Sequence, residues 1–440
     1  MRFIYLCLVC FIFLGCSAKK ERLPTDLSEK KEFVHDLIYL DQNVSAYIEA
    51  VSNERYISTL KRYEKNYFTP WKKEKITTSL DDAQWAYKIF NEKNSYGENL
   101  QKLDKSFFED IYLRSNFKDF GLLNKQAITL KRLNIRAFPT DKPLLRDPSI
   151  AGEGFPFDYL QNSSISANKP ILVSHYSKEK EWVFIESSFT FGWVKASEIV
   201  FIPKKYTQQY IAAQKEFCIK DGVAIYDENE NFLFRSQIGM LLPEITEDSK
   251  DYIVLTVANY KINQAYYIKS KVSKMSFHHG ILKFTRKNIS MIINELSKVK
   301  YGWGGMYGQR DCSSTLRDFF APFGIWLPRN SYKQSQVGRV ISLKGLSDEE
   351  KISLIKEKAI PFETLLYKKG HILLYVGIKD DKIIVFHNVW GVKTKKEKKE
   401  RRFVIGKPVF STLKIGSNLK YYDQSASILS SLQSMNIVTQ

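Results

Sequence analysis

The stretch Arg310-Asp-Cys-Ser-Ser314 follows a glycine-rich approach, Tyr301-Gly-Trp-Gly-Gly305, and precedes apolar residues at helical spacing, namely Leu316, Phe319, Phe320 and Phe323. This pattern predicts a helix that begins near Asp311, with Cys312 in its first turn. A thiol at a helix N-terminus meets unpaired N–H groups and the positive end of the helix dipole, and both favour the reactive thiolate. Glycines before it let a substrate approach the backbone closely. Cys312 is therefore a candidate nucleophile.

Two of the six histidines flank a predicted hairpin farther along the chain. Its strands are residues 372–376 and 382–386, with His371 just before the first strand and His387 just after the second. A hairpin closed symmetrically about Lys379 sets the two histidines directly opposite each other, with Cβ atoms about 4.5–5.5 Å apart. One imidazole can then act as base to a thiol while the other orients it. A hydrogen-bonded surface pair, or a zinc site completed by a cysteine, are the alternatives.

Several motifs together give the C-terminal part a family resemblance. The pieces are, in chain order, Tyr301-x-Trp-Gly-Gly305, Asp311-Cys-Ser-Ser314, Leu327-Pro-Arg-Asn-Ser331, Gly370-His-Ile-Leu-Leu-Tyr-Val-Gly377 and Phe386-His-Asn388. With them, residues 301–391 resemble the NlpC/P60 family of papain-like cell-wall peptidases. The resemblance implies Cys312 as nucleophile, His371 as general base and His387 as the third, orienting group.

The same resemblance implies a binding pocket and a substrate. Tyr301, Asp311 and Ser313 would line the pocket that receives the N-terminal side of the peptide. In relatives with this layout the pocket grips a free L-Ala amine, and the bond cut joins the D-Glu γ-carboxyl to a diamino acid. The expected partners are therefore peptidoglycan stem peptides or muropeptides. Neither a cofactor nor a metal ion is expected.

The rest of the chain divides by sequence texture. Up to about residue 125 the pattern is charged and helical, whereas short β-branched and aromatic runs follow, which is typical of small β-barrels. Their order, with the strand Phe191-Gly-Trp-Val194, resembles bacterial SH3-type domains. The predicted domains are a signal peptide (1–15), a lipidated tether and helical stem (16–125), two SH3-like β-barrels (126–203 and 204–275), an α+β papain-like NlpC/P60 catalytic domain (276–425) and a tail (426–440). The stem is expected to be a packing or spacer domain.

The first residues predict export and a lipid anchor. An apolar run from Phe3 to Leu14 suits the core of a signal peptide, and Gly15-Cys16-Ser17 at its end resembles a lipoprotein cleavage site. Cys16 is then the lipidated residue, which anchors the protein to a membrane. Because Ser17 is not the aspartate associated with inner-membrane retention, the periplasmic face of the outer membrane is expected in a two-membrane bacterium. Cys218, with apolar neighbours, is expected to be a buried packing residue.

Charge alone does not identify a further partner. The net charge of +19 favours anionic partners, but no zinc-finger spacing, Walker loop or other nucleic-acid motif is present, so nucleic acid is not expected. The basic run Lys393–Arg402 is interpreted as a solvated loop. Residues Val173–Ser177 are the candidate wall that closes one end of the cleft. A monomer is expected.

Two other functions remain open from the sequence. Papain-like relatives include amidases and acyltransferases, which keep the fold and change the reaction. A wall-binding lipoprotein with an inert peptidase domain is the second alternative. The presence of Cys312, His371 and His387 argues against inertness, and Asp311 and Ser313 beside the thiol favour an enzyme that reads an amine.

Overall fold

The structure is a computed structural model that describes residues 32–261, 264–397 and 399–440, so the signal segment and Cys16 lie outside the described residues. Residues 34–440 form one unit. In the described ranges no helix has the length and apolar content needed to cross a bilayer.

Short helices make up the N-terminal region, and polar side chains cap several of them. The helices are α1 (His35–Tyr39), α2 (Leu60–Tyr67), α3 (Thr69–Lys72), α4 (Leu80–Ala83), α5 (Trp85–Ile89) and α6 (Lys105–Arg114). Thr59, Ser79 and Asp104 accept backbone N–H groups at the starts of α2, α4 and α6. These caps satisfy donors that the first turn of a helix leaves unpaired.

The first β region forms one antiparallel sheet. Its strands are β1 (Lys125–Thr129), β2 (Leu133–Arg136), β3 (Gln161–Ile165), β4 (Pro170–Tyr176), β5 (Trp182–Ser187), β6 (Phe191–Lys195) and β7 (Ile199–Phe201), in the order β3-β2-β6-β5-β4-β1-β7. The prediction that residues 173–177 wall off the cleft is wrong, because most of this segment lies in the buried strand β4. His175 is only 2% exposed and packs against Phe184 and Trp193.

The second β region follows helix α7 (Lys204–Ala212). Its strands are β8 (Lys215–Cys218), β9 (Ala224–Tyr226), β10 (Phe232–Arg235), β11 (Leu241–Glu247), β12 (Asp251–Lys261), β13 (Gln264–Ser273) and β14 (Phe277–His279). Five of them form a sheet in the order β13-β12-β11-β8-β14, and β9 pairs with β10. Because β14 pairs with β8, this sheet extends past the boundary expected at residue 275. Cys218 is fully buried in this region.

Helices packed against an antiparallel sheet form the C-terminal region. Its elements are α8 (Arg286–Ser297), α9 (Cys312–Phe320), α10 (Ser331–Gln334), β15 (Arg339–Ser342), α11 (Asp348–Lys358), β16 (Thr364–Lys368), β17 (His371–Lys379), β18 (Lys382–Lys396), β19 (Lys399–Thr412), α12 (Ile428–Ser431) and β20 (Leu432–Ile437). The sheet order is β15-β20-β16-β17-β18-β19. Ile289 of α8 and Leu316 of α9 share a core with Ile372, Leu374 and Phe386 of the sheet, so the helix that begins at Cys312 lies against the strand that begins at His371.

Two predictions about the C-terminal region are wrong. Residues 426–440 are not a tail, because β20 lies inside the sheet between β15 and β16. The strand was not predicted because it contains polar residues. One of them, Asn436, is fully buried, and its amide donates to the carbonyls of Gln334 and Val337. The basic run 393–402 is not a loop either, because it continues β18 and β19, with Lys393 paired to Arg402.

Candidate active site

Helix α9 begins at Cys312, and Asp311 is its N-cap. The Ser314 N–H donates to Asp311 Oδ1 at 2.8 Å, and the Asp311 N–H donates to Ser314 Oγ at 2.9 Å. This reciprocal pair is a capping box, which fixes the start of the helix. Sequence spacing had predicted a start near Asp311, and the structure places Cys312 at the first helical position.

The Cys312 thiol is nearly buried, with 8% of the residue exposed. Burial raises the pKa of Cys312 to about 12, and the neighbouring Asp311 carboxylate adds to this, whereas the Ile372 N–H and the Arg329 charge oppose it. The resting thiol is therefore protonated, and the helix N-terminus alone does not produce the thiolate that the sequence suggested. A base is needed at the moment of attack.

The two histidines meet in a chain of hydrogen bonds. His371 Nε2 lies 2.8 Å from His387 Nδ1, and His387 Nε2 lies 3.0 Å from Ser411 Oγ. The Ser411 hydroxyl donates to the Thr412 carbonyl at 2.9 Å, so its oxygen is left to accept from His387. With one proton in each bond, His387 carries its proton on Nε2 and His371 carries its own on Nε2. This arrangement leaves Nδ1 of His371 unprotonated.

Both imidazoles are neutral at neutral pH. Burial, with a smaller contribution from Lys368, lowers the pKa of His371 to about 3. Burial, followed by the neighbouring His371, holds the pKa of His387 well below its usual value. A neutral His371 has a free Nδ1 that can accept the thiol proton, and the transfer depends on the attraction between the thiolate and the imidazolium that it creates.

Cys312 and His371 come together at the start of β17. The Ile372 N–H reaches the thiol, and His371 is the residue before it. Among the described residues, no hydrogen bond joins the thiol to either imidazole. The base and the nucleophile are thus neighbours, and direct proton transfer requires a hydrogen bond between them that forms as the substrate binds.

The hairpin between the histidines differs from the predicted one. Lys379 pairs with Lys382 across a two-residue turn at Asp380 and Asp381, whose φ angles are 49° and 59°. A register shift near residue 376 then sets Leu374 opposite Phe386. Symmetry about Lys379 had predicted that the two histidines are directly opposed. In the structure they are diagonal neighbours across the two strands instead. Asp is among the residues that favour such left-handed turns, and this signal in the sequence was missed.

Arg329 holds Asp311 and Ser313 in place. This arginine belongs to the motif at residues 327–331, and the sequence did not predict a role for it. Arg329 donates to Asp311 Oδ2 at 2.6 Å and to Ser313 Oγ at 2.9 Å, and its Nε donates to Ser163 Oγ at 2.6 Å. Burial acts to raise the pKa of Asp311, but the charge and hydrogen bonds of Arg329 hold it below the ordinary value. Asp311 is thus an ionised carboxylate at the floor of a cavity.

A cavity of about 620 Å³, here called the Cys312 cavity, lies over the nucleophile. Tyr301, Asp311 and Ser313 line it beside Cys312, so the structure brings all the predicted binding residues together. Its other walls come from the helical stem and the first β region, with lining residues Thr69, Lys73, Thr77, Thr78, Trp85, Gln161, Asn162 and residues 186–191. The stem was expected to be only a packing or spacer domain, but it also lines the Cys312 cavity.

Glu186 fastens the stem to this wall. Its buried carboxylate accepts from the Thr77 N–H at 2.8 Å and the Thr78 N–H at 2.9 Å, and it also pairs with Lys73. No sequence motif linked these segments, because they lie more than 100 residues apart.

A second cavity of about 400 Å³, here called the His371 cavity, adjoins the Cys312 cavity. Tyr301 and Gly370 line both cavities, whereas Cys312 lines only the first and His371 only the second. The reacting groups therefore lie where two adjoining cavities meet.

In the C-terminal region a helix that starts at a cysteine packs across an antiparallel sheet, and a histidine stands at the start of a strand, which agrees with the predicted α+β fold. Residues 298–399 match the NlpC/P60 family, and residues 5–120 match the N-terminal NLPC_P60 stabilising domain. Residues 143–195 match an SH3 domain of SH3b1 type, and residues 217–249 match one of SH3b2 type. These matches confirm the predicted resemblance to the NlpC/P60 family, the helical stem domain and the two SH3-like domains.

Two solved structures are similar to the chain. An NlpC/P60 endopeptidase from Photobacterium damselae subsp. piscicida has a TM-score of 0.80 and 23% identity, over 91% of this chain and 98% of that chain. An NlpC/P60 family protein from Bacillus cereus ATCC 10987 has a TM-score of 0.46 and 15% identity, over 72% of this chain and 100% of that one. No curated protein matches the chain. The first likeness shows that the fold extends through nearly the whole chain.

The buried histidine pair should make the protein sensitive to acid. The folded-state pKa of His371 is about 3, below its usual value, and that of His387 is lowered as well. The unfolded chain therefore takes up protons first, so the stability from these groups is present above about pH 6.5 and is lost as the pH falls toward 3. Between pH 7 and pH 5 we expect roughly 2 kcal/mol to be lost from His371, and a further loss of the same sign from His387.

Urea unfolding at the two pH values measures this loss. The control is the double variant His371→Asn with His387→Asn, whose side chains do not titrate, so its loss should be smaller by at least about 2 kcal/mol. The comparison uses only the change with pH, and any change in baseline stability therefore cancels. Equal losses in both proteins would show that the two histidines do not titrate as described.

Proposed function

We propose that this protein is a cysteine peptidase that hydrolyses the bond between the D-Glu γ-carboxyl and a diamino acid in peptidoglycan stem peptides. We further propose that it acts on peptides with a free N-terminal L-Ala. The proposal rests on the position of Cys312 and His371 where two cavities meet. Each cavity can bind the part of the peptide on one side of the cleaved bond. The endopeptidase from Photobacterium, which shares the fold, agrees with it.

The geometry supports the following reaction. His371 Nδ1 accepts the proton of Cys312, and the sulfur attacks the γ-carbonyl carbon of D-Glu. The Cys312 backbone N–H, at the start of α9, stabilises the oxyanion. The intermediate collapses to a thioester when His371 returns the proton to the leaving amine. Water, deprotonated by His371, then attacks the thioester and releases the acid product and the thiol.

His387 and Ser411 act on His371 in this scheme. While His371 is an imidazolium, its Nε2–H donates to His387 Nδ1, and the Ser411 oxygen accepts from His387 Nε2. The chain keeps both rings in one orientation and in one tautomer. His387 and Ser411 are therefore positioning residues, whereas Cys312 and His371 react.

The Cys312 cavity is suited to the amine end of the peptide. Asp311 Oδ2 accepts one hydrogen bond, from Arg329, and this leaves it capacity for an ammonium donor. The stem and residues 186–191 bound the far side of the cavity, where further groups attached to L-Ala would have to pass. A free L-Ala amine both fits this space and supplies the charge that the carboxylate can pair.

Cleavage of L-Ala-γ-D-Glu-diaminopimelate and of its N-acetyl form tests the amine requirement. We expect a large preference for the free amine. Asp311→Asn should reduce kcat/KM for the free-amine peptide by about 30- to 1000-fold, since an ammonium bound without its charge partner costs about 2–4 kcal/mol. Asparagine caps helices as well as aspartate does, so the start of α9 should survive.

The exposed turn residue Asp381 is the matched control, and Asp381→Asn should leave the rate unchanged. Equal rates on the two peptides would show an open cleft and would refute the amine requirement. Transfer of the acyl group to an added amine in preference to water would indicate an acyltransferase instead.

We also propose that Cys16 is lipidated and anchors the protein at the periplasmic face of the outer membrane in a two-membrane host. The proposal rests on the apolar run and the Gly15-Cys16-Ser17 sequence. An anchored enzyme would meet stem peptides in the compartment where the wall is made and turned over.

A further inference from the structure

We propose that Glu216, Glu244 and His279 of the second β region form a binding site for a divalent metal ion, with the nitrogen and oxygen donors that Zn²⁺ accepts. None of the three residues lines the Cys312 cavity or the His371 cavity. The inference therefore does not rest on the proposed function, and it concerns a different part of the molecule.

Three neighbouring strands bring these side chains to one face of the sheet. Strand β8 lies between β11 and β14, and Glu216 of β8 is directly opposite both Leu242 of β11 and His279 of β14. Glu244 lies two residues after Leu242, and residues two apart in a strand project from the same face. No metal ion was expected from the sequence, because these residues form no local motif: Glu216 and His279 are 63 residues apart.

The donor atoms have nearly the spacing of zinc ligands. His279 Nδ1 lies 2.8 Å from Glu216 Oε1 and 3.2 Å from Glu244 Oε2. One ligand atom from each of the three residues lies within 4.8 Å of the other two. In a tetrahedral zinc site with bonds of about 2.0–2.1 Å, neighbouring ligand atoms are about 3.3 Å apart. A small outward shift of the side chains is therefore enough to admit the ion.

Hydrogen bonds leave this cluster incompletely satisfied. A single imidazole nitrogen faces two carboxylates, and the one proton that it can carry makes only one good hydrogen bond. Glu216 is fully buried, and its Oε2 has no hydrogen-bond partner among the described residues. Since Oε1 of the same carboxylate faces His279, this group points into the cluster. A buried carboxylate oxygen without a partner is costly, and a metal ion bound by the carboxylate removes that cost.

The cluster also has an excess of negative charge. In the described ranges neither Glu216 nor Glu244 pairs with a lysine or an arginine, and the ion-pair partner of both is His279. When both carboxylates are ionised, one imidazole leaves at least one negative charge uncompensated. A divalent cation balances this charge inside a partly buried site, where an uncompensated charge is expensive.

Solvent can reach the site from one side. The side chain of His279 is 54% exposed and that of Glu244 is 16% exposed, whereas that of Glu216 is fully buried. An ion can therefore enter from solvent and keep a water molecule as its fourth ligand. Because β14 is the last strand before α8, a bound ion would fasten the chain that leads into the C-terminal region to β8 and β11.

Isothermal titration calorimetry with ZnCl₂ on chelator-treated protein tests the site. Every titration uses the Cys312→Ala background, so that the active-site thiol does not compete for zinc. We expect this parent protein to bind one zinc ion per chain, and adding His279→Asn or Glu244→Gln should weaken binding by at least about tenfold. Zinc should also raise the temperature of thermal unfolding of the parent, and either substitution should remove that rise.

His278→Asn is the matched control. His278 is the neighbouring residue of β14, so it projects from the opposite face, and its Nδ1 lies 3.3 Å from the Gly280 carbonyl oxygen. This variant should bind zinc as tightly as the parent, and circular dichroism without metal verifies that each variant is folded.

Two results would overturn the metal site: no zinc binding by the parent, or binding that is unchanged by His279→Asn. The three residues would then be a hydrogen-bonded cluster that shares a proton. Neither result bears on the cleavage of stem peptides, so the metal site and the proposed function can fail separately.

Discussion

Replacing Cys312 or His371 with alanine is expected to lower kcat by at least ~10⁴-fold on a stem peptide, because one change removes the nucleophile and the other its base. His387→Ala should leave measurable activity, since orientation contributes less than the base itself. Ser411→Ala should have a smaller effect still, because water can replace the hydroxyl as acceptor. Initial rates measured with the purified variants rank the four residues.

Alkylation of cysteine provides the control for this series. Among the described cysteines, Cys312 borders a cavity, whereas Cys218 is fully buried and its thiol donates to the Lys220 carbonyl. Iodoacetamide should therefore label Cys312 first, and His371→Ala should slow that labelling while the protein stays folded. Wild-type activity in His387→Ala would refute its orienting role, and faster labelling of Cys218 would refute the assignment of the nucleophile.

Replacing Arg310 with leucine is expected to cost about 3–5 kcal/mol in the free energy of unfolding, because two carboxylates, Asp318 and Asp221, lose the buried guanidinium that pairs with both. Arg310 is 1% exposed and donates to Asp318 of α9 at 2.7 Å. It also pairs with Asp221 in the second β region, so it joins that region to the catalytic helix. Urea unfolding of the single variant measures the loss.

A second substitution separates the ion pair from packing. In Arg310→Leu with Asp318→Leu the buried Asp318 carboxylate is removed as well, so part of the lost stability should return. A single variant that loses less than about 1 kcal/mol would show that the pair does not hold the two regions together.

The parts of the fold that the sequence predicted depend on local signals. Leu316, Phe319 and Phe320 repeat at helical spacing, and Asp311 with Ser314 has the composition of a cap, so the helix under Cys312 could be placed closely. The strands beside the histidines alternate in the same local way. The family motifs lie within these short-range patterns, so the site residues could be predicted from the sequence.

The parts that were missed depend on contacts between distant segments. Glu186 meets the stem more than 100 residues away, and Arg329 reaches Ser163 of the first β region, so neither role has a local pattern. The strand β20 contains a buried Asn436 that donates to the Gln334 carbonyl at the C-terminal end of α10, and its polar sequence made it resemble a tail. Burial likewise decided the charge state of Cys312, and burial is not visible in a motif.

Mass spectrometry of a digested stem peptide tests directly whether Cys312 cleaves one defined bond. L-Ala-γ-D-Glu-diaminopimelate is incubated with the wild-type protein and, separately, with Cys312→Ala. We expect L-Ala-D-Glu and free diaminopimelate from the wild-type protein, and intact peptide from Cys312→Ala. Cleavage at another bond, or the same products from both proteins, would contradict it.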